Sequence, residues 1–464
     1  MARAKPFASL RVLIPLDYFL ARFKEKETFS ESERAGKDVR HLFKQGRTFP
    51  LPPNAYGAIE AITLLPESEI MSADPIVIAS YARTPMGGMQ GALSGVSATQ
   101  LGATAIKAAI ERAGVKPEAV DQVIMGCVLP GALGQAPARQ ATLGAGLPLS
   151  VGATTINKVC GSGMKATMMA AEAIIAGTSD IVIAGGMESM TNAPYMLTKH
   201  RGGARIGHDS IKDSMFLDGL EDAYEAGRAM GSFAEETCTE YQFTREAQDE
   251  YALRSLSRAK DAIASGAFDR EIVAVEITTR KGTETVSVDE QPGKANPDKI
   301  PTLKPAFAKD GTITAANASS ISDGAAALVV TKASVAAAQG LPVAATILAW
   351  ATNSQEPAKF TSAPVPAIRK VMEKAGWSVA DVDLFEINEA FAMVPMIAMK
   401  ELGIPADKLN VNGGGTALGH PIGASGARII ATLIAALQNR GLKRGVAALC
   451  IGGGEGTAIA VEVA

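Results

Sequence analysis

The chain has 464 residues, 47% hydrophobic and 20% charged, with 45 Lys plus Arg against 48 Asp plus Glu for a net charge of −3. These values exclude collagen-like, low-complexity and wholly disordered classes, and with no dense basic run they offer no electrostatic footprint for nucleic acid. The four cysteines, Cys127, Cys160, Cys238 and Cys450, have neither disulfide density nor zinc-ligand spacing and read as thiols of a reducing compartment.

At roughly one domain per 150 residues, about three structural units are expected. Residues 1–70 stand apart as an appendage, with 11 Lys or Arg, 9 Asp or Glu, little periodicity and prolines at 50, 52, 53 and 66. Met1 to Leu16 carries Arg3, Lys5 and Arg11 with no acid, which fits a weak organelle-targeting signal; the acids that follow fit a tail ahead of a start at Met71. No apolar run reaches the roughly 18–20 residues that span a bilayer, so a soluble protein with no membrane partner is expected.

From Ile76 onward, buried strands alternate with amphipathic helices, which predicts a layered α/β architecture. Strands are predicted at Ile76 to Tyr81, Val120 to Val128 and Ile181 to Ala184, the last bounded by Gly185-Gly186, with a helix near Ala98 to Ala113. Helices opening at Cys160-Gly161 and His420-Pro421, strands beginning Val120-Asp121 and Val382-Asp383, and strands running into glycines at 185 and 452 recur in order, so an internal duplication is expected. Between about 191 and 310 the pattern loosens into a lid or oligomer-contact insertion with one long helix, Arg245 to Ser265.

Candidate chemistry clusters at the ends of the duplicated elements. Cys160 at a helix N-terminus is expected to feel the positive end of the macrodipole, which favours thiolate, and Gly161 and Gly163 leave room for a bulky acyl donor. His420 opens the matching helix and would face Cys160 across the pseudo-dyad. Asn388 at a strand end can orient a water or a carbonyl, and Cys450 beside a glycine turn can exchange a proton with a carbon acid. A buried structural cysteine and a satisfied structural histidine are the competing readings. No phosphate-loop or dinucleotide fingerprint is convincing, which sets hydride chemistry aside.

Asn157 to Lys165 (NKVCGSGMK), Gly185 to Met190 (GGMESM), Asn388 to Ala392 (NEAFA), Gly419 to Arg428 (GHPIGASGAR) and Cys450 to Gly454 (CIGGG) resemble, in order, the thiolases, closest to their acetyl-CoA acetyltransferase branch. A ketoacyl synthase would need a second histidine where Asn388-Glu389 stands. The resemblance implies a five-layered αβαβα fold of two duplicated halves with an inserted loop domain. Its expected divisions are 1–70, 71–343 with the loop domain at about 191–310, and 344–464. It implies ping-pong acyl transfer that condenses two acetyl-CoA to acetoacetyl-CoA plus CoA, or the reverse. Cys160 would be the nucleophile, His420 its proton acceptor and Cys450 the acid/base at the α-carbon. Asn388, through a water, would join His420 in one oxyanion hole; the N–H groups of Cys160 and Gly452 would form the other. Leu220, Met230 and Ser319 would contact coenzyme A and Phe391 the acyl end. Ala229-Met230-Gly231 and Lys294 stand where many biosynthetic members have His-Met-Gly and arginine. The implied state is a cytoplasmic homotetramer with no metal, no permanently bound cofactor, and CoA thioesters as substrates. A broad-chain degradative thiolase is the close alternative, and a non-catalytic scaffold on the same fold the distant one.

Overall fold

Nine strands form the frame: β1 (Ile76–Arg83), β2 (Gln122–Gly126), β3 (Gly152–Ile156), β4 (Ile181–Ser189), β5 (Ser322–Lys332), β6 (Ala345–Ser354), β7 (Leu384–Ile387), β8 (Arg444–Ile451) and β9 (Glu455–Glu462). The computed structural model describes residues 74–464 apart from Lys281, so the expected appendage, with its targeting and tail readings, lies outside the described residues. The strands pair in the order β7-β8-β9-β6-β1-β5-β4-β2-β3, with the two-residue strand Gly87–Gly88 beside β5. Outward from the centre, β1-β5-β4-β2 and β6-β9-β8-β7 repeat one pattern of antiparallel, antiparallel, parallel. The expected duplication is therefore a repeat of topology. The two half-sheets are joined by a short ladder, Val77 with Thr346 and Ile78 with Ala345.

The helices of eight residues or more among the described residues are α1 (Ala98–Ala113), α2 (Pro137–Gly144), α3 (Ser162–Ile175), α4 (Met230–Tyr241), α5 (Arg245–Ala264), α6 (Pro364–Ala375), α7 (Met393–Leu402) and α8 (Ile422–Arg440). A capping box between Ser97 and Gln100 starts α1, and left-handed Gly114 (φ 68°) ends it, which is why its expected bounds are met. Three apolar clusters define the layers. Alanine-rich α3 and α8 pack between the inner faces of both half-sheets, α1 and α2 cover the outer face of the first half, and α6 and α7 cover that of the second. With both faces covered, β1, β4, β5, β8 and β9 are buried along nearly their whole length, whereas the edge strand β3 is partly or fully exposed and β6 alternates.

Gly185 and Gly186 do not bound a strand as expected but lie inside β4. A Cβ on Gly186 would stand 1.9 Å from the carbonyl oxygen of Gly423, so glycine is what lets α8 descend onto the sheet. The insertion holds α4 as well as the expected α5, and α4 escaped notice because its apolar stripe is narrow within the polar run GSFAEETCTEY.

Two buried polar clusters tie the insertion to the frame. Arg83 of β1 donates through Nε to Glu271 at 2.7 Å and through both terminal nitrogens to Asp289 at 2.7 and 2.9 Å, all three side chains being buried. Glu389, just after β7, accepts from Tyr251 and Ser255 of α5, from Asn410 Nδ2, and from the N–H and hydroxyl of Thr416, at 2.6–3.1 Å. A buried carboxylate surrounded by that many donors holds the loop carrying Asn388 in place.

Candidate active site

Cys160 sits on a tight turn two residues ahead of α3. Its neighbour Val159 has φ 46°, a left-handed conformation that a β-branched residue adopts only when its surroundings enforce it. The restraints are local: Asn157 Oδ1 accepts the Val159 N–H at 2.9 Å, while the Ser162 hydroxyl accepts the Lys158 N–H at 2.8 Å and donates to the Val159 carbonyl at 2.7 Å. The expectation that Gly161 and Gly163 admit substrate is corrected. A Cβ at 161 would lie 2.4 Å from Ile451 Cδ1 and one at 163 would lie 2.6 Å from the Ala427 nitrogen, so both glycines admit the second half of the protein instead.

The thiolate expectation is also reversed. Burial pushes the Cys160 thiol up to about 11, although the N–H groups of Gly452 and of Cys160 itself are aimed at the sulfur and pull the other way. Desolvation outweighs the helix terminus because Cys160 stands outside the first helical turn, where the macrodipole fades. Burial, then the nearby Arg428, draws the His420 imidazole down to about 3. Thiol and imidazole are thus both neutral at rest, a pairing in which the ring is free to accept the thiol proton. For Cys450 at the end of β8, burial and then the adjacent Cys160 raise the thiol well above its ordinary value.

Cys160, His420, Cys450 and Gly452 line one cavity of about 390 Å³, and Leu220, Met230, Ser319 and Phe391 line it too. Asn388 does not. It is fully buried behind His420, with Nδ2 at 3.5 and 3.4 Å from Nδ1 and Nε2 of the ring and Oδ1 at 3.4 Å from an Arg428 terminal nitrogen. Phe307 is a lining residue that the sequence did not mark. Its ring meets Phe391 edge-on with centroids 6.1 Å apart, and only the missing side chain of Gly231 lets it approach α4. Beneath the cavity Glu188 of β4 accepts from the N–H groups of Val128, Leu129 and Gly423 at 2.9–3.1 Å, joining the nucleophile side to the first turn of α8. It lay in the quoted GGMESM motif without a role.

Burial raises the Glu188 carboxyl to about 7 despite those donors. A carboxyl that holds its proton more tightly when folded stabilises fully below its ordinary value of 4.5 and loses that contribution as pH rises through about 7. Between those limits the loss should be on the order of 3 kcal/mol. Urea unfolding at pH 5, 6, 7 and 8 checks this: Glu188→Gln should show a shallower fall in stability than the parent. Equal slopes would mean that Glu188 does not titrate in this window.

Two thiols, an imidazole and aimed backbone N–H groups in an apolar cleft define a cysteine-based acyl-transfer site. The family descriptions "Thiolase, N-terminal domain" and "Thiolase, C-terminal domain" match residues 76–334 and 341–463, and the chain belongs to the thiolase family, a family of acyltransferases. It is 50% identical over 399 residues to "Acetyl-CoA acetyltransferase 2" of Arabidopsis thaliana, covering 85% of this chain and 99% of that one. It is 49% identical over 393 residues to "Acetyl-CoA acetyltransferase, cytosolic" of Mus musculus, covering 84% and 98%. Among solved structures, the Acat5 thiolase from Ascaris suum in complex with coenzyme A superposes with a TM-score of 0.79 at 42% identity, covering 84% of this chain and 100% of that one.

Proposed function

We propose that the protein is an acetyl-CoA C-acetyltransferase that interconverts two acetyl-CoA with acetoacetyl-CoA plus CoA through an acetylated Cys160. The observation that carries this reading is the convergence of Cys160, Cys450 and His420 in one apolar cleft with the Gly452 N–H aimed at the reacting sulfur. His420 takes the Cys160 proton as the sulfur attacks the thioester carbonyl, and the N–H groups of Cys160 and Gly452 receive the developing oxyanion. CoA departs as the thiol by taking the Cys450 proton, a second acetyl-CoA enters, and the Cys450 thiolate so formed removes its α-proton. The resulting enolate oxygen is held by the Nε2–H of the His420 imidazolium, and Asn388 behind the ring joins through a water. The enolate carbon attacks the acetyl-cysteine and releases acetoacetyl-CoA, the bonding pair returns to the Cys160 sulfur, and that thiolate takes its proton back from His420. The thioester acidifies the α-carbon, so no metal and no permanent cofactor is called for.

Leu220, Met230 and Ser319 are proposed CoA contacts and Phe391 the wall of the acyl end, a role that Phe307 shares. Division into 1–70, 71–343 with its loop domain, and 344–464 is retained. So is a cytoplasmic homotetramer, supported by cysteines that are all free and by exposed Tyr195, Leu197, Ile206 and Ile211, whose apolar area is suited to a subunit contact. No helix among the described residues is long and apolar enough to cross a membrane.

Thiolysis of acetoacetyl-CoA and 3-ketohexadecanoyl-CoA by the purified protein tests the assignment. Cleavage of the short substrate alone is expected. Comparable cleavage of the long one would move the protein to the degradative class, and cleavage of neither would remove the catalytic reading.

A further inference from the structure

The imidazole of His420 is useful as a base only if the nitrogen facing the cavity carries a lone pair, and two hydrogen-bond chains reach the ring, of which the first decides which nitrogen that is. The first runs through Ser425, in the first turn of α8. Its hydroxyl lies 2.6 Å from His420 Nδ1 and donates to the Pro421 carbonyl at 3.0 Å, one helical turn back. A serine hydroxyl has one proton. With that proton given to Pro421, the Ser425 oxygen can only accept from Nδ1, so Nδ1 bears the ring hydrogen. The second chain starts at Arg428, which has donors and no acceptor and therefore turns the Asn388 amide so that Oδ1 faces it at 3.4 Å. The Asn388 N–H₂ then faces the ring, 3.5 Å from Nδ1 and 3.4 Å from Nε2, and steadies the imidazole without favouring either nitrogen.

We propose that Ser425 is a positioning residue that holds His420 in the Nδ1–H form, leaving Nε2 as the acceptor for the Cys160 proton. The proton passes from Sγ to Nε2, the bonding pair stays on sulfur, and the imidazolium formed keeps its Nδ1–H on Ser425. This assignment rests on the acyl-transfer reading only for its catalytic consequence; the tautomer itself does not depend on it. The charged group that bears on the ring is Arg428, which pairs with Glu386 at 3.0 Å. Both are buried, so the polarity of this chain is set inside the protein.

Nitrogen-15 spectra of histidine-labelled wild-type protein read the tautomer directly, since only four histidines are present and His420→Asn identifies the signal. A protonated Nδ1 with a pyridine-like Nε2 is expected; a protonated Nε2 overturns the proposal. Ser425→Ala should then lower the single-turnover rate of Cys160 acetylation and the rate of Cys160 alkylation by iodoacetamide at pH 7, each about 10- to 100-fold, with KM for acetyl-CoA little changed. Ser425→Thr, which keeps the hydroxyl, should restore both. Alkylation uses no CoA substrate, so it remains informative if the acyl-transfer reading fails. Wild-type alkylation rates in Ser425→Ala, or losses that Ser425→Thr does not restore, would overturn the role.

Discussion

Cys160→Ala is expected to lower acetoacetyl-CoA thiolysis by about 10⁴-fold or more, because the acyl-enzyme has no other sulfur in position to form it. Cys450 shares the cavity but is fully buried, and its thiol is raised further by the neighbouring sulfur. It therefore offers a poor thiolate for attack on a thioester, and its proposed part is at the α-carbon. The two cysteines should separate by half-reaction. With labelled acetyl-CoA, Cys450→Ala should still accumulate one acetyl group per chain yet fail to form acetoacetyl-CoA, whereas Cys160→Ala should accumulate none. Stable label on Cys160→Ala, recovered from a peptide containing Cys450, would exchange the two roles. Thermal unfolding run beside the assay separates chemistry from folding, since each change removes only a sulfur.

The second large effect concerns stability. Arg83→Met should cost about 3–5 kcal/mol in urea unfolding, because it leaves Glu271 and Asp289 buried without their cation. Glu271 already has one oxygen, Oε2, with no hydrogen-bond partner, and its other oxygen receives Arg83 Nε at 2.7 Å. Asp289 also accepts the Met86 N–H at 2.8 Å, so the same cluster fixes the chain just after β1. Arg83→Lys should fall between, as one ammonium cannot reproduce the three hydrogen bonds to two carboxylates. Both carboxylates belong to the insertion that carries Met230 of the cavity wall. A loosened insertion should thus raise KM for CoA thioesters before activity at saturation falls. A loss below about 1 kcal/mol in Arg83→Met would show that the two carboxyls protonate or rehydrate without strain.

Much of this was legible in order along the chain. Apolar runs bounded by turns located the strands, the amphipathic pattern near Ala98 to Ala113 located α1, and repetition of short motifs disclosed the duplication, because each of these depends on residues near one another in sequence. The motifs around Cys160, Asn388, His420 and Cys450 named the reactive side chains for the same reason. What local pattern cannot contain is the company those side chains keep. The sequence suggested a thiolate at a helix terminus; the fold packs that half-buried residue against the second half, and desolvation leaves it a neutral thiol in one cavity with a neutral imidazole. Gly161, Gly163 and Gly186 read as openings for substrate or ends of strands, yet each is the contact point for an element of the second half more than 230 residues away. Phe307 and Gly231 have no shared motif and meet only because the insertion folds back over the cleft. Composition and spacing determined which groups this protein has for chemistry. Burial, which depends on every layer at once, decided their protonation, and the packing of α8 against β4 and β7 decided which of their nitrogens and oxygens face the cavity.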